Sequence, residues 1–217
     1  LHRTPPARTA DVRVASTPDE LPAADPSVLT LTLGNFDGVH LGHRAVLAEV
    51  ISSAGSRGGL SAAVTFEPHP AGVVDRNGAP LLLSPLDEKL DLLADTGIEV
   101  TLVVDFTEEI AAQEAADFLG WLGVGRGSHL VLGYDFHMGR DRSCDLRRLS
   151  ALGSVLGYGL DIVPPVLHTG RPVSSSRIRD CLADGEVEDA AAMLGRPYVV
   201  RGNVVAGSGL GARLGYP

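Results

Sequence analysis

The stretch Leu29-Thr-Leu-Thr-Leu-Gly-Asn-Phe-Asp-Gly-Val-His-Leu-Gly-His43 decides the fold. It opens as an apolar and β-branched run, which predicts a buried strand. Gly34, Gly38 and Gly42 then break it, and each allows backbone close to a ligand. A helical pattern follows in Arg44-Ala-Val-Leu-Ala-Glu-Val-Ile51, with Val46, Leu47, Val50 and Ile51 on one face. Strand, glycine-broken turn and helix together aim backbone N–H groups at a helix N-terminus, a place that favours phosphate. His40 and His43 are three apart, so both imidazoles can lie on one side.

The turn lacks the Gly-Lys-Ser/Thr of a Walker loop and the Gly-x-Gly-x-x-Gly of a dinucleotide loop. His40-Leu41-Gly42-His43 resembles the His-x-Gly-His signature of the nucleotidyltransferase superfamily. The ten residues Gly34-Asn-Phe-Asp-Gly-Val-His-Leu-Gly-His43 resemble one branch of it, the adenylyltransferase module of prokaryotic bifunctional riboflavin kinase/FAD synthetases.

Upstream, residues 1–27 read as loop, with Asp11–Ala15 as an edge strand. Downstream, the first helix runs to about Ser53 and ends in Gly55-Ser-Arg-Gly-Gly59. Leu60–Phe66 is the next strand, leading into Glu67-Pro-His-Pro70, a rigid extended turn. Ser84-Pro-Leu-Asp87 has the form of a capped helix start. Ile98–Asp105 is the third strand, and Thr107–Leu122 a helix whose Trp121 serves packing. Ser128–Gly133, a helix over about 145–156, and Gly159–Val163 stopped by Pro164-Pro165 complete an alternation of five strands with helices. That pattern predicts an α/β fold: a Rossmann-like parallel sheet of about five strands with helices on both faces.

Two further segments match the same family. Val64-Thr-Phe-Glu-Pro-His-Pro70 recurs in it, and the resemblance implies a flavin-side loop with Pro68, His69 and Pro70. Gly133-Tyr-Asp-Phe-His-Met-Gly139 resembles Gly-x-Asp/Asn-Phe-x-Phe-Gly, which brings Asp135, Phe136 and Met138 to the flavin side; Tyr134 and Met138 depart from the pattern. Val173-Ser-Ser-Ser-Arg-Ile-Arg179 reads as a capped helix with phosphate-facing donors. It resembles Ser-Ser-Thr-x-x-Arg, with Ser176 in the threonine position.

The resemblance implies an FMN adenylyltransferase, which makes FAD and pyrophosphate from FMN and ATP. His40, His43 and Arg179 are then the catalytic residues. Gly34, Asn35, Phe36, Asp37, Gly38, Ser174, Ser175 and Ser176 bind nucleotide, Asp37 serving either to orient the turn or to meet Mg²⁺ through water. Mg²⁺ is expected with ATP, without a dedicated protein ligand set. The alternatives are transfer to another phosphorylated acceptor or from CTP, and a flavin- or nucleotide-binding protein without turnover.

Composition sets the outer bounds. The 217 residues suit one domain with a small appendage. They divide into an N-terminal segment to residue 27, a nucleotidyltransferase domain over 28–195, and a glycine-rich tail over 196–217 that alternates like a β-hairpin. The tail resembles the opening of the family's riboflavin kinase barrel, and a lone barrel strand is expected to be disordered or paired with another chain. A net charge of −9 argues against a nucleic-acid surface. Lys89 is the single lysine among 18 basic residues. Cys144 and Cys181 have no metal-like spacing, and reduced thiols in the cytoplasm are the plain reading. No membrane span and no signal-peptide core stand out.

Overall fold

The computed structural model describes residues 13–21, 29–75, 78–202, 205 and 210–215. The five expected strands form one parallel sheet, and a sixth, N-terminal strand joins its edge. In chain order these are β1 (Arg13–Ala15), β2 (Leu29–Leu33), β3 (Leu60–Glu67), β4 (Val100–Asp105), β5 (His129–Gly133) and, after two short ladder strands, β8 (Gly159–Val163). The ladder strands are β6 (His137–Met138) and β7 (Cys144–Asp145); β9 (Leu167–His168) and β10 (Arg171–Pro172) form a second hairpin. The sheet order is β1-β4-β3-β2-β5-β8. Strands added after β2 first go to one side of it and then to the other. That reversal puts the topological switch point between β2 and β5, where open α/β sheets bind ligands.

Helices cover both faces, as the strands' apolar runs require. Alternate residues of each strand face opposite ways. Leu130 and Leu132 pack with Phe118, Leu119 and Leu149, from α5 (Ala115–Trp121) and α6 (Leu146–Leu156). Val131 and Ala63 pack on the other side with Val46, Leu47, Val50, Leu92 and Leu93, from α1 (Leu41–Arg57) and α3 (Leu86–Ala94). A third cluster ties α7 (Ser175–Asp184) to α8 (Val187–Leu194) through Ile178, Cys181, Ala190 and Met193.

Several boundaries differ from the sequence reading. Helix α1 starts at Leu41 and continues through Gly55; Gly58, at φ 65°, ends it in the left-handed region where glycine is least strained. The helix expected over 107–122 is two: α4 (Glu108–Ala111) and α5. Between them the Gln113 carbonyl accepts from Arg140 N–H at 2.8 Å, so it is drawn out of the helical ladder. Ser84 does not cap α3; the cap position is Pro85, and the Ser84 hydroxyl accepts instead from Gly38 N–H at 3.0 Å. Trp121 packs on Phe118 while remaining 42% exposed.

The tail is not strand-like where it is described. Residues 196–202 are irregular and Leu210–Arg213 form one helical turn, α9; positions 203–204, 206–209 and 216–217 lie outside the described residues. Asp11 and Val12 of the expected edge strand also lie outside them.

Candidate active site

Two helix N-termini converge on one cleft. The first belongs to α1. His40 is its cap: Nδ1 accepts the His43 backbone N–H at 3.2 Å. The two imidazoles stack, with centroids 3.6 Å apart and planes 16° from parallel. Gly42 leaves the room for this, since a Cβ there would lie 3.1 Å from the His40 ring. Beneath them Phe36 is buried and meets His43 edge-on at 5.3 Å. Phe36 is therefore a floor for His43, and its ring belongs to the core instead of a nucleotide contact.

The second N-terminus belongs to α7. Ser174 caps it, accepting from Arg177 N–H at 3.2 Å. Ser174 and Ser175 line a cleft of about 230 Å³ with His40, His43, Tyr134 and Asp135. Its further wall is apolar: Val46, Val163–Val166 and Val173. These residues follow the carboxyl ends of β2, β5 and β8, at the switch point. Ser176 is exposed on α7 and does not line the cleft.

Asp37 joins the two halves. It is 3% exposed. Its Oδ1 accepts from Leu83 N–H at 2.9 Å and Ser84 N–H at 3.1 Å, and its Oδ2 accepts from Arg179 Nη2 at 2.6 Å. Its backbone carbonyl accepts from the Ser175 hydroxyl at 3.0 Å. Arg179 Nε donates to Leu81 O at 2.7 Å. One carboxylate thus links the turn after β2, the 81–84 loop and α7. With both oxygens accepting hydrogen bonds, the Asp37 carboxylate braces the turn against its neighbours. Gly38, at φ 78°, lets the chain pass Leu83 closely: a Cβ there would sit 2.9 Å from Leu83 Cδ1.

The flavin-side expectations separate into two groups. His69 caps α2 (Pro70–Val74), its Nδ1 accepting from Ala71 N–H at 3.2 Å. Its Nε2 lies 3.2 Å from Asn35 Nδ2, where the ring tautomer and the amide orientation set which of the two groups donates. Gly34 N–H donates to Val64 O, which ties this turn to β3. Pro68 is exposed, and Pro70 starts α2. Asp135 reaches the cleft, whereas Phe136 and Met138 pack against the main core. Those two side chains are not brought to the site.

Electrostatically the site is built of neutral imidazoles among cations. Burial lowers the His40 pKa to about 4, helped by Arg179 and Arg196. Burial, then the His40 and Lys89 charges, holds His43 well below the usual histidine range. His69 is lowered mainly by burial, with Asp37 pulling the other way. At neutral pH these rings offer N–H donors without carrying charge. Arg179, Arg196 and the helix ends supply the positive potential.

Sequence reasoning missed the apolar wall at 163–166, the Ser84 brace and Lys89. The first two had a signal, since both are loop segments following strands or preceding a helix; only tertiary contacts reveal the third. Among the described residues no group of three His, Cys, Asp or Glu side chains could hold a metal, and no helix is long and apolar enough to cross a membrane. Both cysteines are free and buried.

Residues 23–177 match the FAD synthetase family. The chain is 36% identical over 189 residues to the bifunctional riboflavin kinase/FMN adenylyltransferase of Escherichia coli K12. It is 34% identical over 190 residues to the protein of the same name from Bacillus subtilis 168. Each match covers 86% of this chain and 60% of the relative, so the chain spans about three-fifths of their length. A crystal structure named as a macrolide-efflux protein from Streptococcus pneumoniae superposes with a TM-score of 0.77 at 27% identity, over 95% of this chain and 67% of that one. A pantoate–β-alanine ligase from Francisella tularensis superposes at 0.55 with 14% identity, over 82% of this chain and 77% of that one, and shares the fold alone. The family match runs from ahead of β2 into α7 and takes in every residue lining the cleft: the chain belongs to the FAD synthetase family.

Proposed function

We propose that the chain is an FMN adenylyltransferase, transferring AMP from ATP to FMN to give FAD and pyrophosphate. One observation carries this most: the N-termini of α1 and α7 meet over the stacked His40 and His43 at the switch point of a parallel sheet. The FMN phosphate attacks the α-phosphorus in line, the bond to the bridging oxygen breaks, and pyrophosphate leaves with that electron pair. The nucleophile is already an anion, so no general base is needed. Rate enhancement comes from alignment and from donors placed where charge accumulates.

His40 and His43 donate N–H to the reacting phosphates. Ser174, Ser175 and the α7 N-terminus receive the β- and γ-phosphates, with Ser176 at the rim. Arg179 does not line the cleft; with Nε and Nη2 engaged, the rest of its guanidinium is what remains to meet the phosphates. Gly34, Asn35, Asp37 and Gly38 shape the turn that admits the nucleotide, and the Phe36 backbone belongs to it. His69, with Pro68 and Pro70, and Asp135 serve the flavin side. Mg²⁺ would enter with ATP and supply charge neutralisation at the phosphates; the Asp37 carboxylate already accepts three hydrogen bonds, and among the described residues Asp135 is the carboxylate that lines the cleft. Residues 28–195 form the catalytic unit, residues 196–217 open a kinase-like unit, and the location is cytoplasmic.

Tyr134 favours one rival. It lies on the cleft wall where the family pattern is usually acidic, so another phosphorylated acceptor is the reading to test beside FMN. Purified protein given FMN, ATP and Mg²⁺ should release pyrophosphate and FAD in equal amounts. Turnover of another acceptor with none of FMN would sink the proposal.

A further inference from the structure

The chain uses arginine at every basic position except Lys89. Among the described residues, Lys89 is also the only Lys or Arg that is buried, at 6% exposed. It sits in the first turn of α3. Nζ donates to Asn35 O at 3.4 Å and to Phe66 O at 3.3 Å. The only carboxylate within 4 Å of it, among the described residues, is Glu67 Oε2 at 3.9 Å, beyond hydrogen-bond reach and on a side chain 38% exposed. Burial lowers the Lys89 pKa, and Glu67 and Asp37 oppose that.

The two carbonyls belong to neighbouring strand ends. Asn35 follows β2 and Phe66 is the penultimate residue of β3. Asn35 also meets His69 through its side chain, accepts the Thr65 hydroxyl at 3.2 Å, and precedes Phe36, the floor of His43. One ammonium therefore stands behind both histidine-bearing branches. A compact tetrahedral cation on a flexible stem fits two converging carbonyls, whereas a planar guanidinium needs a wider, forked acceptor. That explains a lone lysine in a chain otherwise supplied with arginine.

We infer that Lys89 is a positioning residue for the acceptor side of the site: its buried ammonium pins the Asn35 and Phe66 carbonyls and so fixes the Asn35–His69 wall against the His43 turn. This rests on the FMN adenylyltransferase reading for its kinetic consequence, and on geometry alone for its structural one. Lys89 does not touch the reacting atoms. Burial is the main cause that holds His43 and His69 low; the Lys89 charge adds to it, ranking after His40 at His43 and, at His69, after Asp37, which opposes, and Arg179.

The test compares the parent with Lys89→Met, which keeps the stem and loses the charge, and with Lys89→Arg, which keeps the charge and changes its shape. KM for FMN and for ATP, kcat, and the histidine titrations by NMR are read on each. Lys89→Met should raise KM for FMN roughly five- to tenfold with KM for ATP within about twofold, and should move the His43 and His69 titrations upward. Lys89→Arg should return the titrations toward the parent without restoring KM for FMN. Equal rises in both KM values, or titrations that stay in place, would overturn the inference. If Lys89→Met does not fold, Lys89→Arg decides it: a parent-like KM for FMN contradicts it and a selective rise supports it. If the parent itself makes no FAD, the function reading fails, and the titrations alone judge Lys89.

Discussion

Removing the Asp37 carboxylate should cost more stability than any other single change at the site. Asp37→Ala strands three donors: Leu83 N–H, Ser84 N–H and the Arg179 guanidinium. Truncating one partner of a buried ion pair typically costs about 3–5 kcal/mol. Hydrogen bonds to a charged group contribute about 1.5–3 kcal/mol each. The Arg179 side chain is 19% exposed and regains some water, which lowers the total. About 3–4 kcal/mol is the expected loss. Asp37→Asn keeps an acceptor for the loop N–H groups but turns an NH₂ toward Arg179, so about 2 kcal/mol is expected. Urea unfolding measures both, with the slope checked for an unchanged transition. A cycle with Arg179→Ala should give a coupling of about 1 kcal/mol or more. A loss below about 1 kcal/mol for Asp37→Ala, or additive single variants, would refute the idea that this carboxylate joins the turn, loop and helix.

Other predictions follow from the same geometry. His43→Ala should lower kcat about 100- to 1,000-fold while leaving unfolding nearly cooperative, as expected for a donor to developing charge. His40 has its pKa lowered from 6.5 to about 4 in the fold, so the unfolded chain binds the proton more readily between those values. Its contribution to stability is full above about pH 6.5 and is lost as pH falls toward 4, by roughly 3 kcal/mol. His40→Asn, which can still cap α1, should flatten stability against pH across that window; an unchanged slope would contradict the buried neutral ring. Gly38→Ala should cost about 1–3 kcal/mol by thermal or urea unfolding, since it meets both a positive φ and the Leu83 side chain.

Much of the fold was readable because β2, β3 and β5 are short buried runs flanked by glycine or proline, and their period-two faces need no distant information. The histidine turn was readable for the same local reason: His40 and His43 are close in sequence and share one helix end. What escaped depended on contacts between distant segments. The break between α4 and α5 is set by Arg140, 27 residues beyond the Gln113 carbonyl it takes. Phe136 and Met138 lie in a loop rich in ligand-like residues, yet the β6–β7 hairpin turns both toward the core. Arg179 is separated from Asp37 by 142 residues, so its motif was visible and its partner was not. Lys89 sits on an ordinary amphipathic helix, and nothing local distinguishes a buried ammonium from a solvated one.

The most direct measurement is the incubation of the purified chain with FMN, ATP and Mg²⁺, reading FAD and pyrophosphate together in the parent and in His43→Ala. Stoichiometric FAD and pyrophosphate from the parent, with both nearly lost in the folded variant, is the expected result. A well-folded parent that forms no FAD, or a His43→Ala variant as active as the parent, would contradict it.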